Sequence, residues 1–259
     1  MFPILLRIGN LTLRTYGFFV ALGVVVAYNY VKYQAAKKNL NWIFLSNLIF
    51  FCVLVGLLGG RLLYVILNFE YYKTNIFSVL KIWEGGLVFY GGFFAGIIFG
   101  VIYTLLNKQD LLYTMDILTP ALYLGLSIGR IGCFCAGCCY GREVFKGLDF
   151  LGIVFTHPES LAPIGIKIFP TQLFESGYAF IIFLITHKLL KKNFLKYRIF
   201  FLGGMIYSFF RFLNEFIRGD DRGSLILGLY PSQFISIIIF LLFFILIFYI
   251  KKWKKDVSK

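Results

Sequence analysis

Between Gly129 and Arg142 the chain reads GRIGCFCAGCCYGR. Four of its five cysteines stand here, Cys133, Cys135, Cys138 and Cys139, with Arg130 before them and Arg142 after. A Cys-x-Cys-x-x-Cys-Cys spacing is one that zinc or an iron–sulfur cluster can use. Here it stands at the end of a long apolar run, and no second cysteine or histidine pair follows it. In an oxidising compartment a disulfide within the cluster suits such residues better, although adjacent Cys138 and Cys139 would be strained as a pair. Packing of small side chains is the plainest reading, and no metal is expected. Cys52, alone in another apolar run, reads as packing too. Cys135-Ala-Gly-Cys138 also has the form of a thiol–disulfide exchange motif, but a membrane oxidoreductase needs a second redox pair and only Cys52 remains elsewhere.

The second chemical signal is charge inside apolar sequence. Arg61, Arg130, Arg211 and Glu215 lie in or at the edges of long hydrophobic runs. An ionisable group in hydrocarbon costs roughly 2.5–3.5 kcal/mol on the mildest scale, so such groups mark function by default. The competing reading is a structural ion pair or a side chain snorkelling to the interface. Arg211 and Glu215 are four apart, so they share a helix face and can pair. Two arginines facing one cavity suit a phosphate, through forked charge-assisted hydrogen bonds. In a membrane, that phosphate is a phospholipid head group. A transporter for an anionic solute would use the same arginines, but no internal repeat is evident.

The rest of the chain sets where these residues stand. Of its 259 residues 59% are hydrophobic and 15% charged, against roughly a quarter charged in a soluble domain. Such a chain cannot cover a soluble core with polar surface. Apolar runs near 16–34, 44–67, 86–106, 112–134, 172–190, 199–217 and 231–250 are long enough to span. They lack the two-residue alternation of porin strands, and helices satisfy their own backbone in lipid. The sequence therefore predicts an all-α integral membrane protein of about seven transmembrane helices, one membrane domain over 1–259. A small external cap is expected at about 135–170, with Arg142, Glu143, Lys146, Asp149 and His157.

The net charge of +14 is placed at alternate loops and the tail, including Lys32, Lys37, Lys38, Lys108, Lys188, Lys191, Lys192, Lys196, Arg198 and Lys251. The positive-inside rule then puts the N-terminus outside and the C-terminus in the cytoplasm. Lysines scattered at membrane edges do not make a nucleic-acid surface. More positive charge follows the first run than precedes it, and no small-residue cleavage site comes after, so the run reads as a retained helix.

Glycines recur every four residues at Gly92, Gly96 and Gly100, and again at Gly56 with Gly60 and Gly125 with Gly129, as in helix-packing seams. The pairs Gly85–Gly86 and Gly91–Gly92 around Tyr90 go beyond a seam. They would loosen a helix start and are expected to bring backbone close to a ligand.

Taken in order, these motifs resemble the prolipoprotein diacylglyceryl transferase family over nearly the whole chain. IGNLTLRTYG is similar to the family's opening segment, with Tyr16 at its important tyrosine. WEGGLVFYGGFFAG resembles the glycine motif, GRIGCFCAGCCYGR the signature with Arg130 and Gly141 in register, and FPTQLFES, with Pro170, Gln172 and Glu175, the start of the next helix. YSFFRFLNEFIRGDD resembles the late motif through Tyr207, Arg211 and Glu215.

The resemblance implies a bacterial inner-membrane enzyme. It would transfer a diacylglyceryl group from phosphatidylglycerol to the lipobox cysteine of a preprolipoprotein, giving a thioether and glycerol phosphate. The chemistry needs no metal or organic cofactor. Arg130, Arg211, Tyr90, Glu215 and Tyr16 are the expected catalytic set. Arg130, Gly141, Gly91, Gly92, Tyr207, Cys133, Cys138 and Glu175 are expected to bind substrate.

The chain departs from the common pattern where Tyr90 replaces a histidine proposed as base, and where Cys133 and Cys138 replace asparagine and glutamate. It is similar to a tyrosine- and cysteine-rich form of the family. Tyrosine is a poor base near neutral pH unless an arginine lowers its pKa, so Glu175 and Glu215 stay candidates, and cations alone could stabilise the incoming thiolate. A paralogue that lipidates another acceptor would carry the same motifs. His157, His187 and the Asp220–Asp221–Arg222 turn read as surface features.

Overall fold

The fold was described from a computed structural model, covering residues 2–9, 11–74, 76–80, 85–221, 225 and 228–257. Trp83 and Glu84 of the glycine motif, Arg222 and Lys259 lie outside the described residues. A hairpin, β1 (Ile4–Ile8) and β2 (Leu11–Arg14), precedes α1 (Thr15–Lys37). Then come α2 (Trp42–Leu67), the short α3 (Phe69–Thr74), α4 (Phe89–Leu106) and α5 (Leu111–Ala136). A second small hairpin, β3 (Ile153–Val154) with β4 (Lys167–Ile168), leads to α6 (Thr171–Lys191), α7 (Ile199–Glu215) and α8 (Pro231–Val257).

The seven long helices fall where the apolar runs predicted spans. By length and composition α2, α4, α5, α6 and α8 can each cross a membrane. α7, with 17 residues, is short for this, and α1 is diluted by polar residues such as Asn29, Lys32 and Gln34. The chain is a helical multi-pass membrane protein. It divides into two compact units, residues 31–114 and residues 1–30 with 115–259.

In the 31–114 unit, Asn41 caps α2 by accepting a hydrogen bond from the Phe44 N–H, and α2 packs on α4 through glycine. A Cβ on Gly91 would come within 2.5 Å of the Gly59 carbonyl oxygen, and one on Gly92 within 2.7 Å of that of Gly56. The Val88 N–H donates to the Gly60 carbonyl across the same seam at 3.0 Å. Cys52 lies against Gly96 and Gly100, as expected of a packing residue.

The Gly91–Gly92 pair is therefore accounted for by helix–helix approach, where the sequence pointed to a ligand. Gly85 and Gly86 both have positive φ, which moves the start of α4 from the expected 86 to Phe89. Arg61 explains what they are for. It is buried, and its guanidinium donates to the carbonyls of Ser78 (2.6 Å), Val79 (3.0 Å), Gly85 (2.6 Å) and Gly86 (3.2 Å). This intramembrane arginine ties down a loop, and the head-group reading does not extend to it.

In the other unit, α1 meets α5 at Gly23 and Gly125, and α6, α7 and α8 pack in sequence. Asp116 of α5 is fully buried and accepts a hydrogen bond from the Phe200 N–H, capping the start of α7 from outside that helix. His187 is not a free surface residue. Its Nδ1 lies 2.8 Å from the Tyr30 hydroxyl, between the rings of Tyr30 and Phe183. The 135–170 segment folds as the expected small cap. Phe155, Ala162 and Ile168 are buried in it, with Phe134 and Tyr140 packed against them.

Candidate active site

The site residues of the larger unit gather where α5 ends and α6 begins. Arg130, on the last turns of α5, points at Glu175 of α6 with Nη2 2.9 Å from Oε1. Tyr207 of α7 donates its hydroxyl to the same Glu175 oxygen at 2.6 Å. Glu175 is buried, and its contacts show why a carboxylate is tolerated there: one arginine and one tyrosine satisfy it. On α7, Arg211 Nη1 lies 3.1 Å from Glu215 Oε2, the i,i+4 pair read from the sequence. Ser232 of α8 donates to the other Glu215 oxygen. Both guanidiniums lie close enough to Tyr178 and Tyr207 to act on them electrostatically. Each arginine side chain keeps 19% of its surface exposed while its glutamate partner is buried. The geometry is that of two anchored cations, each with one side open.

Beyond Arg130 the helix is stopped by Gly137, at φ 77°, and the chain turns through Cys138 and Cys139. Cys139 is itself left-handed, at φ 59°, a conformation that costs a residue with a Cβ unless its surroundings enforce it. Two first-turn side chains of α6 enforce it. Thr171 donates to the Cys139 carbonyl and Gln172 to the Cys138 carbonyl, each at 2.7 Å. The sulfurs of Cys133, Cys138 and Cys139 consequently lie within 4.8 Å of one another. Arg130 Nη1 reaches to 3.9 Å from the Cys133 sulfur. All five cysteines are free thiols, so the disulfide expected within the cluster is absent from this structure, while Cys133 is buried as a packing residue would be. Cys135, on the same run, is outside the trio.

Tyr16 opens α1, is exposed, and its backbone lies against Gly132. It lines a cavity of about 210 Å³ together with Pro3, Arg14, Ala136, Cys138 and Leu161. This places the expected Tyr16 beside the cysteine turn. Gly141 is held differently. Its N–H donates to the Phe169 carbonyl at 3.0 Å, and a Cβ there would strike Phe169 and come within 2.9 Å of the Ile217 carbonyl. Gly141 lets three chain segments meet, a structural reason for a glycine that the motif alone marked as substrate-binding. Tyr90, with Gly91 and Gly92, belongs to the 31–114 unit, where its side chain is exposed.

Two residues were missed from sequence, Ser232, which holds Glu215, and Arg218. Arg218 is nearly buried and grips Asp220 with both ends of its fork, Nε to Oδ1 at 3.0 Å and Nη2 to Oδ2 at 2.6 Å. Burial opposes its charge, but the hydrogen-bonded Asp220 outweighs that and holds its pKa above the ordinary arginine value. Asp220 is therefore a partner rather than part of a solvated turn. The only signal in the sequence was the nearness of Arg218 to Asp220, two residues on, because α7 ends before Arg218.

The family model described as prolipoprotein diacylglyceryl transferase matches residues 3–249. The chain is 36% identical over 248 residues to phosphatidylglycerol–prolipoprotein diacylglyceryl transferase 2 of Clostridium perfringens (strain 13 / Type A), covering 96% of this chain and 94% of that one. It is 33% identical over 258 residues to the phosphatidylglycerol–prolipoprotein diacylglyceryl transferase of Clostridium tetani (strain Massachusetts / E88), covering 99% and 100%. With the transferase of that name from Staphylococcus aureus (strain Newman) it shares 32% over 251 residues, covering 95% and 88%. With that match along almost its whole length, and with Arg130 and Arg211 paired to the buried Glu175 and Glu215, the chain belongs to the prolipoprotein diacylglyceryl transferase family.

Proposed function

We propose that this protein transfers the diacylglyceryl group of phosphatidylglycerol to the lipobox cysteine of preprolipoproteins in the bacterial inner membrane. The observation that carries this reading is the pair of glutamate-anchored, mostly buried arginines, Arg130 and Arg211. The acceptor thiolate attacks the glyceryl carbon, the C–O bond to phosphate breaks, and glycerol phosphate leaves with an added negative charge. Two guanidiniums fixed beforehand in a water-poor site stabilise that charge without reorganising. Glu175 and Tyr207 hold Arg130 in place, and Glu215 with Ser232 holds Arg211. Glu175 and Glu215 are thereby committed to the arginines. A part for Tyr90 in proton removal rests on the motif resemblance alone, as does substrate binding by Gly91, Gly92 and Gly141. The whole of 1–259 acts as one membrane enzyme in this reading.

The direct test is incubation of the purified protein with phosphatidylglycerol and a lipobox peptide. A thioether-linked diacylglyceryl peptide is expected, and a peptide with serine for cysteine stays unmodified. Absence of product in phosphatidylglycerol vesicles, with folded protein, would reject the reading.

The loop Lys188–Arg198 lies on the cytoplasmic side in this reading, with the N-terminus outside. A cysteine in place of Lys192, in a background lacking accessible native cysteines, is expected to resist membrane-impermeant thiol reagents in intact cells. Labelling there would invert the topology and move the site to the other leaflet.

A further inference from the structure

The trio of thiols has a geometry of its own. We propose that Cys133, Cys138 and Cys139 bind a zinc ion, and that its fourth coordination position takes the thiol of the acceptor cysteine. This rests on the transferase reading for the identity of the acceptor. In a tetrahedral site with Zn–S bonds of about 2.3 Å, sulfurs stand about 3.8 Å apart. The three sulfurs here are all within 4.8 Å of one another, so closing on an ion takes movements of side-chain size. Thr171 and Gln172 already fix the carbonyls of Cys138 and Cys139, and the left-handed Cys139 is the feature that turns the third sulfur toward the other two. Such outer supports are what metal ligands need for orientation.

Charge and access both fit. Three thiolates on a divalent ion leave one negative charge, which Arg130 meets through its nitrogen 3.9 Å from Cys133. Only three cysteines converge, the number that leaves a zinc position open for chemistry rather than closing a structural site. Cys138 lines the cavity of about 210 Å³ beside Tyr16, so the open position has an approach.

The step balances simply. The acceptor thiol binds zinc and releases its proton to water, because a coordinating thiol is deprotonated outright. The thiolate sulfur then forms a bond to the glyceryl carbon while the C–O bond breaks. The electron pair leaves on the phosphate oxygen of glycerol phosphate. The thioether, a weaker ligand than a thiolate, departs. No side-chain base is required.

The test uses the full chain, purified reduced in detergent from zinc-supplemented cells. About one zinc per chain is expected by elemental analysis, lost in Cys133→Ser, Cys138→Ser and Cys139→Ser and kept in Cys135→Ser and Cys52→Ser. Cobalt(II) reconstitution is expected to give sulfur-to-metal charge-transfer absorption, which a cysteine-containing lipobox peptide shifts and its serine version does not. Metal-stripped protein should transfer about thirtyfold more slowly at pH 7, the shortfall of thiolate for a thiol of pKa about 8.5, with the gap closing above that pH. Zinc should restore the rate. Reduced wild-type protein that binds neither zinc nor cobalt overturns the site. A cobalt spectrum blind to the peptide, or a stripped enzyme equally fast at pH 7, overturns the acceptor role. If no lipidation occurs even with metal bound, the transferase reading fails by itself, and metal content and the cobalt spectrum still decide the proposal.

Discussion

Arg130→Ala lowers lipidation of a lipobox peptide by about 100–1000-fold, the usual loss when one donor to a developing anion is removed. The protein should still fold, less stably, since the buried Glu175 loses its arginine but keeps the Tyr207 hydroxyl. Arg130→Lys keeps a charge but loses the planar fork that reaches Glu175 at 2.9 Å, so partial recovery is expected. Glu175→Gln tests the other half of the pair. It keeps an acceptor for Tyr207 and leaves the guanidinium uncompensated, so the loss should appear in rate with phosphatidylglycerol binding largely retained. Rates near wild type in Arg130→Ala, with native-like melting in detergent, would leave the pair as architecture.

The second large effect separates chemistry from support on α7. Arg211→Ala should cost a similar factor in rate. Glu215→Ala keeps the cation and should cost less in rate, but both changes cost stability, since Arg211→Ala strands a fully buried carboxylate and Glu215→Ala a mostly buried guanidinium together with the Ser232 hydroxyl. Breaking such a pair from one side costs about 3–5 kcal/mol. Thermal melting in detergent, with and without phosphatidylglycerol, reads this directly. Both alanine variants are expected to melt well below the unaltered protein, and Glu215→Gln to be less affected than Glu215→Ala, since it can still accept from Ser232. If the folded fraction of Arg211→Ala is fully active, its part in the chemistry is rejected.

The helices were legible in the sequence because each apolar run is long and ends in polar or glycine-rich residues. Their ends were less so. α4 begins three residues late because Gly85 and Gly86 spend their carbonyls on Arg61. α7 stops at Glu215 because the next residues leave the helix to pair across the cap, the Arg142 N–H donating to the Ile217 carbonyl. Neither bond can be seen from periodicity.

The site divides in the same way. Arg211 and Glu215 could be paired on paper, being one helical turn apart. Arg130 and Glu175 could not, because only the packing of α5 against α6 makes them partners. The cysteines were the hardest case. Residues 133, 138 and 139 have no helical spacing, and they converge only because the helix ends at Gly137 and α6 holds the turn that follows. Gly141 was visible as a motif position, but its reason lies in Phe169 and Ile217, which flank it from distant parts of the chain.

The glycine seam between α2 and α4 bears on how this sequence can drift. Gly59 and Gly91 face each other, each with a carbonyl where the other's Cβ would go. In most helix contacts an enlarged residue can be accommodated by shrinking its neighbour. At this crossing Ala95 and Leu63 could shrink, but the carbonyls belong to glycines, already the smallest residues, so no substitution on the opposite helix removes them. A few ångströms away, Phe93, Phe94 and Ile97 are exposed and free to exchange among apolar types. Descendants of this chain can therefore rewrite the exposed positions of α4 far more freely than its two seam glycines, which backbone carbonyls hold fixed together.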